Sequence, residues 1–328
     1  MIDPHRREIN YLRVSVTDRC NLRCEYCMPK EGVSALGHED ILRYEEILRV
    51  VRISMKLGIV KVRITGGEPL IRRGVVGFVK ALCSLGLKDV GLTTNGVLLA
   101  DFAGLLFEAG LRRVNISLDS LDPEKYRRIT RGGDISRVIR GVREAHEAGF
   151  SPIKINVVAL KGFNEDEIMP FVRLTLDRPF QVRFIELMTL GRTVVREEDS
   201  FLSNQDIMRT ISREHTLHPL GGRGTADGPA YLFKIDGAAG EVGFINSGSS
   251  HICDTCNRLR LTAEGHLRAC LLRDGEIDIK SALRSGCGDS ELEKLIRTAV
   301  AGKPAGRPCI SGNVSRKKCG KEMSVIGG

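Results

Sequence analysis

The sequence contains no tryptophan and only five tyrosines among its 328 residues. Proteins that bind single-stranded nucleic acid usually stack bases on aromatic side chains set among basic ones. Here the 50 lysines and arginines are spread along the chain, without a basic tail or aromatic interleaving. The net charge of +9 therefore favours a small anionic substrate, and we expect no nucleic-acid partner.

Long apolar runs are also missing. No stretch approaches the roughly 20 residues that span a bilayer, and the first residues, MIDPHRREIN, lack the apolar region of a signal peptide. We therefore expect a cytoplasmic protein with no membrane partner. In a reducing compartment, ten cysteines indicate metal binding or packing more than disulfides.

Short β-branched segments alternate with helical patterns along the first 190 residues. The predicted strands are 11–17, 60–65, 89–94, 111–118, 152–160 and 180–188. The predicted helices are 43–57, 74–85, 98–109, 134–148 and 165–176. This rhythm predicts right-handed βαβ units and a parallel sheet. Six units favour a partial (β/α)6 TIM-like barrel over a closed barrel of eight.

The alternation of predicted strands and helices ends after about residue 190. A Gly-rich segment at 218–230 is predicted to be a loop, and the elements after it are strands at 231–235 and 241–245 and helices near 279–284 and 290–301. We predict an α/β protein of two domains, a barrel over 1–190 and a smaller α+β domain over 191–328 that covers the barrel mouth.

Polar motifs stand where the predicted strands end. In chain order they are Cys20, GGEP (66–69), TTNG (93–96), SLDS (117–120) and ELM (186–188). Parallel βα proteins carry their chemistry at the carboxyl ends of their strands. We therefore expect these motifs to meet at one mouth.

Three cysteines, Cys20, Cys24 and Cys27, lie within eight residues. Thiolates favour zinc or iron–sulfur, but a structural zinc site needs a fourth ligand. The nearest downstream histidine, His38, lies eleven residues further on in a polar loop and is expected to be exposed. This spacing suits three irons of a [4Fe–4S] cluster and leaves one iron free for a small molecule.

Cys-x3-Cys-x2-Cys after the first strand, with Tyr26 before the last cysteine and GGEP after strand two, resembles the radical S-adenosylmethionine superfamily. The resemblance implies that the free iron binds the amino and carboxylate groups of S-adenosylmethionine. One electron then cleaves it to a 5′-deoxyadenosyl radical. In GGEP, glycine would let the backbone approach this ligand, and Glu68 would place negative charge near its ammonium group.

A second trio, Cys253, Cys256 and Cys270, also lacks an obvious fourth ligand. Its spacing alone equally fits a zinc ribbon. The residues that could complete such a site are His251, His266 and Cys287.

Arg258 and Arg260 stand two apart on a predicted strand beside this trio. A structural zinc site does not require arginines. A phosphate or purine site does, because the guanidinium group is planar, stays charged and donates hydrogen bonds from a fixed fork. The run CDTCNRLRLTAEGHLRACL closely resembles the GTP 3′,8-cyclase family of molybdenum cofactor biosynthesis. The likeness extends from LRVSVTDRCNLRCEYCMP to the final IGG.

That resemblance implies two [4Fe–4S] clusters facing one cavity, the second of which binds the guanine of GTP. The adenosyl radical would take the ribose C3′ hydrogen, and C3′ would attack C8 to give (8S)-3′,8-cyclo-7,8-dihydroguanosine 5′-triphosphate. It further implies an external one-electron donor and a downstream cyclic pyranopterin monophosphate synthase. It is also compatible with a homodimer.

Residue roles follow from the same resemblance. The implied GTP contacts are Arg13, Arg63, Thr93, Lys154, Arg258 and Arg260. The implied S-adenosylmethionine contacts are Tyr26, Gly67, Glu68, Ser117 and Met188. The implied catalytic residues are Arg258, Arg260 and the tail glycines Gly327 and Gly328. Cations so distant in sequence can converge only inside a barrel, where together they suit a triphosphate.

Two other hypotheses stay open at this point. One is a different two-cluster radical enzyme, such as a peptide modifier, although these usually carry more cysteines. The other is a zinc or iron–sulfur nucleic-acid-binding module without catalysis. Of the cysteines outside both trios, Cys83 is expected in the core, and Cys287, Cys309 and Cys319 have no predicted metal role beyond the zinc alternative.

Overall fold

The computed structural model of the chain describes residues 1–188, 190, 195, 197–221, 228–246, 253–306 and 319–327. The strands of this part are β1 Tyr11–Ser15, β2 Lys61–Thr65, β3 Asp89–Thr94, β4 Arg113–Ser117, β5 Ile153–Ala159, β6 Phe180–Glu186, β7 Leu217–Pro219, β8 Tyr231–Ile235, β9 Glu241–Ile245, β10 Arg258–Leu261, β11 His266–Arg268 and β12 Glu276–Asp278. The helices are α1 Tyr44–Lys56, α2 Val75–Cys83, α3 Leu99–Glu108, α4 Pro123–Thr130, α5 Ile135–Glu147, α6 Ile168–Asp177, α7 Glu197–Ser200, α8 Asn204–Ile211, α9 Lys280–Arg284 and α10 Asp289–Ala301.

The first six strands lie side by side in chain order, and every neighbouring pair is parallel. A helix follows each of the first five strands, as parallel connections require. The described strands form one open sheet with β12 and β7 at its edges. The predicted α/β fold with a partial barrel is therefore confirmed.

The C-terminal third extends this sheet at both edges. β10 pairs in parallel with β1, and β9 pairs in parallel with β6. Antiparallel strands β11 and β12 continue one edge, and β8 and β7 continue the other. The predicted domain boundary at residues 190/191 stays a prediction.

Alternation within the strands separates the core from the barrel interior. In β2, Val62 and Ile64 are fully buried in the apolar core, while Lys61 and Arg63, which alternate with them, line an internal cavity. Successive strand residues point to opposite faces of a sheet, so one strand serves both environments. Because β1–β6 run parallel, the polar motifs at their carboxyl ends lie at the same edge of the sheet.

Three described helices, α4, α7 and α8, were absent from the sequence prediction. Of these, α4 begins with a capping aspartate and a proline, since the Asp122 carboxylate accepts from the amides of Glu124 and Lys125, both at 2.8 Å. Within the described ranges, no helix is both long and apolar enough to cross a bilayer.

Candidate active site

The inward-facing rows of six strands are polar and enclose a cavity of about 570 Å³. Eight basic side chains line it: Arg13, Lys61, Arg63, Arg113, Lys154, Arg183, Arg258 and Arg260. Asp119 and Glu186 are the acidic residues of its described lining. This excess of positive charge in a partly closed space favours a ligand with several negative charges.

Burial and mutual repulsion lower the pKa values of several of these basic side chains. Burial, with Arg183 and Arg63 nearby, lowers the pKa of Lys154 to about 6. Burial and Arg63 lower the pKa of Arg183 to about 10. Burial would raise the pKa of Tyr11, but Arg63, Arg13 and Lys61 override it and lower that pKa to about 7. An anion bound in this cavity would offset the repulsion that lowers the pKa values of Lys154 and Arg183.

Several polar atoms of the cavity wall are buried without a hydrogen-bond partner among the described residues. They include Arg63 Nε, Arg183 Nε, Thr93 Oγ1 and Asn156 Oδ1. Buried polar groups are normally paired, so such a concentration indicates a ligand site. Thr93 was among the predicted substrate contacts, and its hydroxyl lies in this wall.

The strand beside Arg63 is shaped to accommodate it. Gly91 of β3 is the register partner of Arg63. A Cβ atom built on Gly91 would lie 1.9 Å from Arg63 Nη1, so any larger residue would displace the guanidinium. Arg63 Nη1 then reaches Asn115 Oδ1 at 3.4 Å.

The first cysteine trio lies in the loop after β1. The Cys24 carbonyl accepts from the amides of Cys27 at 3.0 Å and Met28 at 3.2 Å, which folds the loop into a turn. The end of α4 supports it, because the Thr130 carbonyl accepts from the Arg23 amide at 3.1 Å. Cys20, Cys24 and Cys27 are all free thiols, and none is on the described cavity lining.

The GGEP segment packs directly on this loop. A Cβ atom on Gly67 would lie 2.2 Å from the Arg19 carbonyl oxygen, so glycine is required for the close approach. Glu68 is fully buried and accepts from the Leu70 amide at 2.9 Å, the Thr94 hydroxyl at 2.9 Å and the Asn95 amide at 2.7 Å. Burial nevertheless raises its pKa to about 7. Glu68 thereby ties GGEP to TTNG; its contact with S-adenosylmethionine stays a prediction.

Three other predicted cofactor contacts face the cavity, namely Tyr26, Ser117 and Met188. The Tyr26 hydroxyl donates to Asp119 Oδ2 at 2.6 Å. Burial raises the pKa of Asp119 to about 6, although Tyr26 and the Val158 amide oppose the rise. Asp119 lies near the first trio, since its charge also raises the pKa of Cys24.

The second trio lines the cavity with all three members. Burial would raise the pKa of Cys256, but Arg258 and Lys303 override it and lower that pKa to about 6. Lys303 Nζ lies 3.5 Å from Cys256 Sγ and donates to the carbonyls of Arg258 at 2.8 Å and Ala269 at 2.7 Å. The lysine therefore joins the two chain segments that carry the trio.

The spread of donor atoms within each trio bears on which metal could bind. Among the described residues, one group of three metal-ligating side chains has all its donor atoms within 4.8 Å of one another, and it is Glu264, His266 and Glu276. Neither cysteine trio meets this limit. Thiolates bound to one tetrahedral zinc would meet this limit, because each sulfur lies ~2.3 Å from the ion and the sulfurs therefore lie ~3.8 Å apart. The wider spacing fits thiolates on separate corners of a cluster.

The candidate fourth ligands do not form a zinc site with the second trio in the described part of the chain. His266 lies 3.2 Å from Glu264 Oε2 through Nδ1, and Cys287 is buried in the main core. His251 and Cys309 lie outside the described residues, as does the predicted tail residue Gly328.

The C-terminal tail reaches the cavity. The Gly327 carbonyl accepts from Arg260 Nη1 at 2.8 Å and from Arg13 Nη2 at 3.4 Å. Both arginines were predicted GTP contacts, and burial lowers the pKa of each. The tail is thus in contact with the cationic wall.

Sequence reasoning missed several residues of the wall. They are Tyr11, Lys61, Arg113, Asn115, Asp119, Asn156, Gln181 and Arg183. The available signal was the period-two recurrence of polar residues in otherwise apolar parallel strands, such as Asn115 and Ser117 or Gln181 and Arg183. Strands of a parallel sheet are usually apolar on both faces, so these rows mark the interior.

Known proteins match both parts of this architecture. The family model for the radical SAM superfamily matches residues 14–175, and the model for Molybdenum Cofactor Synthesis C matches residues 180–308. The crystal structure of Streptococcus suis SuiB bound to S-adenosylmethionine superposes with a TM-score of 0.59 at 15% identity, covering 89% of this chain and 68% of SuiB. At that identity the likeness shows the fold alone.

Full-length relatives are much closer in sequence. GTP 3′,8-cyclase of Moorella thermoacetica is 49% identical over 329 residues, and that of Thermodesulfovibrio yellowstonii is 48% identical over 331 residues. The alignments cover 100% of this chain and 100% of each relative. A chain that shares nearly half its residues with these enzymes from end to end, and matches both family models, belongs to the GTP 3′,8-cyclase family of the radical SAM superfamily.

Proposed function

We propose that this chain binds GTP in the cationic cavity and, with S-adenosylmethionine, joins ribose C3′ to guanine C8 in the first step of molybdenum cofactor biosynthesis. The observation that carries the proposal is the wall itself, in which eight basic side chains surround a space that also holds a cysteine trio. A triphosphate supplies the negative charge that this wall lacks, and the trio supplies a metal-bound site for the base.

The two trios would hold two [4Fe–4S] clusters. All six cysteines are free thiols, and neither trio is compact enough for one tetrahedral ion. Cys20, Cys24 and Cys27 would carry the first cluster, and Cys253, Cys256 and Cys270 the second. When bound, the first cluster supplies the electron that cleaves S-adenosylmethionine, and the second offers an open iron to guanine.

The basic wall would position the nucleotide. Arg63 and Arg183 help to lower the pKa of Lys154, and Arg63 helps to lower the pKa of Arg183, so phosphate oxygens placed among them would oppose both shifts. Arg258 lies beside Cys256 and would face the end of GTP that meets the second trio. The protein's contribution is therefore to fix the ribose against the first site while the base stays anchored at the second.

The residues around the first trio would hold S-adenosylmethionine. Tyr26, Ser117 and Met188 face the cavity above the cysteine loop, and Asp119 adds negative charge there. A cationic sulfonium and an ammonium group suit this environment, because Asp119 supplies a carboxylate beside the first trio. Gly67 lets the GGEP backbone lie against the cysteine loop.

Arg260 would act at the reacting centre together with the tail. It is 6% exposed and already donates to Gly327, so it is held in one orientation before substrate arrives. Preoriented donors stabilise developing charge without reorganisation. The tail would also exclude water from a radical reaction.

The remaining expectations extend the proposal. The nine described cysteines are free, which supports a reducing compartment such as the cytoplasm. An external one-electron donor would reduce the first cluster, and a cyclic pyranopterin monophosphate synthase would consume the product. Assembly as a homodimer stays a prediction.

The deciding experiment is anaerobic turnover of GTP carrying deuterium at C3′, with mass analysis of the 5′-deoxyadenosine. We expect one deuterium in the nucleoside and a cyclised nucleotide. Unlabelled nucleoside formed beside intact GTP would contradict the proposal. Activity on a short peptide in place of GTP would favour the peptide-modifying alternative.

A further inference from the structure

The last described segment, residues 319–327, touches the cavity at one end and the β10–β12 hairpins at the other. Cys319 and Ile326 are each 1% exposed and pack with Leu190 in a small apolar cluster. The Gly327 carbonyl accepts from Arg260 in the cavity wall at 2.8 Å. Few apolar contacts hold this segment, so its polar attachments matter for its position.

Lys321 makes one of these attachments through two ion pairs. Its ammonium Nζ lies 2.9 Å from Glu276 Oε2 and 3.1 Å from Glu264 Oε2. His266 completes the group, with Nδ1 3.2 Å from Glu264 Oε2. The Glu264–His266–Glu276 trio has the compactness of a metal site, but a lysine ammonium from the tail already satisfies both carboxylates.

A second attachment lies beside the first. Arg268 is fully buried; it pairs with Glu276 and places Nη2 3.0 Å from Cys319 Sγ. Arg268 is also the cross-strand partner of Arg260 in the β10–β11 pair. The same hairpin therefore holds the start of the tail through Arg268 and receives its end through Arg260.

We propose that Lys321 is a positioning residue, whose ion pairs with Glu264 and Glu276 anchor the C-terminal tail so that Gly327 meets Arg260 and Arg13. Gly327 lies only six positions after Lys321, so displacement of the anchor would shift the part of the tail that reaches the cavity. The consequence for GTP rests on the proposed function above, whereas the anchoring itself does not.

The test uses three substitutions of one residue in the cluster-loaded enzyme. K321M removes the charge and keeps the length, K321E places a third carboxylate against the two, and K321R retains the charge. Hydrogen exchange of the peptide that contains residues 319–327 reports anchoring independently of activity. We expect exchange to accelerate about fivefold in K321M, more in K321E, and to return towards wild type in K321R.

Steady-state kinetics supply the second readout. We expect K321M to raise KM for GTP and lower kcat together, with K321R restoring both, because the tail acts on bound substrate. The matched control is K280M, which removes a lysine whose Nζ contacts the Asp40 carbonyl at 3.0 Å in the same part of the molecule but away from the tail. K280M should leave tail exchange and kinetics unchanged.

Wild-type exchange at 319–327 in K321E would overturn the anchoring, and a loosened tail with unchanged kinetics would overturn its consequence for GTP. Failure of the proposed function would give a different experimental result. In that case the wild-type enzyme does not cyclise GTP at all, yet the exchange series still decides whether Lys321 anchors the tail.

Discussion

The two cysteine trios lie in opposite electrostatic surroundings. Burial and the neighbouring Cys20 raise the pKa of Cys27 to about 12, and Asp119 contributes to the raised pKa of Cys24. Around the second trio, Arg258 and Lys303 lower the pKa of Cys256 to about 6. The second trio therefore lies among positive charges, whereas burial dominates at the first trio and Asp119 adds negative charge there.

The trios also differ in how the chain assembles them. The first occupies eight consecutive residues of one loop, and α4 and GGEP brace it from two sides. The second brings Cys270, beyond β11, back to Cys253 and Cys256, before β10, through an antiparallel hairpin. A local motif can be recognised from spacing alone, whereas the second trio depends on a strand pairing.

The largest expected effect separates the trios by function. C24A should abolish cleavage of S-adenosylmethionine, whereas C256A should retain some cleavage without cyclised GTP, because in the proposed function only the first site serves S-adenosylmethionine. Each variant should lower the iron content from about eight to about four per chain. The measurements are iron and sulfide assay and 5′-deoxyadenosine formation under reduction.

C83S is the matched control, since Cys83 is a half-buried thiol outside both trios and packs against the core. It should keep the full iron content. Identical loss of S-adenosylmethionine cleavage in C24A and C256A would remove the functional distinction between the sites.

The next effect concerns the cationic wall near the second trio. R260M should lower kcat by about 10²-fold or more, because it removes a buried, preoriented donor. S-adenosylmethionine binding should change little, which equilibrium dialysis can check. R209M, at an arginine with 71% side-chain exposure, serves as the control. Equal weakening of S-adenosylmethionine binding by R260M would argue that the two regions are not separate.

A smaller effect comes from Lys154. Its pKa of about 6 in the free protein leaves it mostly neutral at pH 7.5, and the charge of GTP should raise that pKa and draw a proton. We expect proton uptake on binding, measured by calorimetry in buffers of different ionisation enthalpy. K154M should remove this uptake and raise KM about tenfold, whereas exposed K80M should do neither.

The lowered pKa of Lys154 also makes the stability of the folded protein depend on pH. A folded pKa below the ordinary value of 10.5 means that the unfolded chain binds more protons between pH 6 and 10.5. The contribution of Lys154 to the free energy of unfolding therefore becomes more favourable as pH rises through that window. Saturating GTP should flatten this dependence, and K154M should lack it.

The smallest effect is expected at the first site. Y26F removes the donor to Asp119 and should lower the free energy of unfolding by about 2 kcal/mol, the range for hydrogen bonds to charged groups. Y44F is the control, because the Tyr44 hydroxyl makes a longer bond of 3.3 Å to the Arg73 carbonyl near the surface. Urea denaturation measures both. A Y26F effect no larger than that of Y44F would show that Asp119 relies on other donors.

The sequence was informative where a short stretch defines its own structure. The order of the first six strands and of the five helices between them was predictable, because β-branched runs and amphipathic helices carry their periodicities locally. The Cys-x3-Cys-x2-Cys spacing of the first trio is equally local, and its role as a cluster site stays a prediction. Helix α4 could also have been predicted from the sequence, because Asp122 followed by Pro123 is a helix-start signal.

Other features depend on contacts between distant segments. The pairing of β10 with β1 brings Arg258 and Arg260 beside Tyr11 and Arg13, and no local pattern selects that partner. Nor does local pattern show that Glu68 is enclosed by three protein donors, or that Gly91 makes space for Arg63.

By itself the sequence determined the parallel βα order, the spacing of six thiols and the net positive charge, because each is a property of neighbouring residues or of composition. Only the tertiary structure decided which cations share one cavity, how far each is buried and where the tail is held. Those outcomes depend on strand partners far apart in the chain, and the electrostatics of a site follow from distance and desolvation rather than from order in sequence.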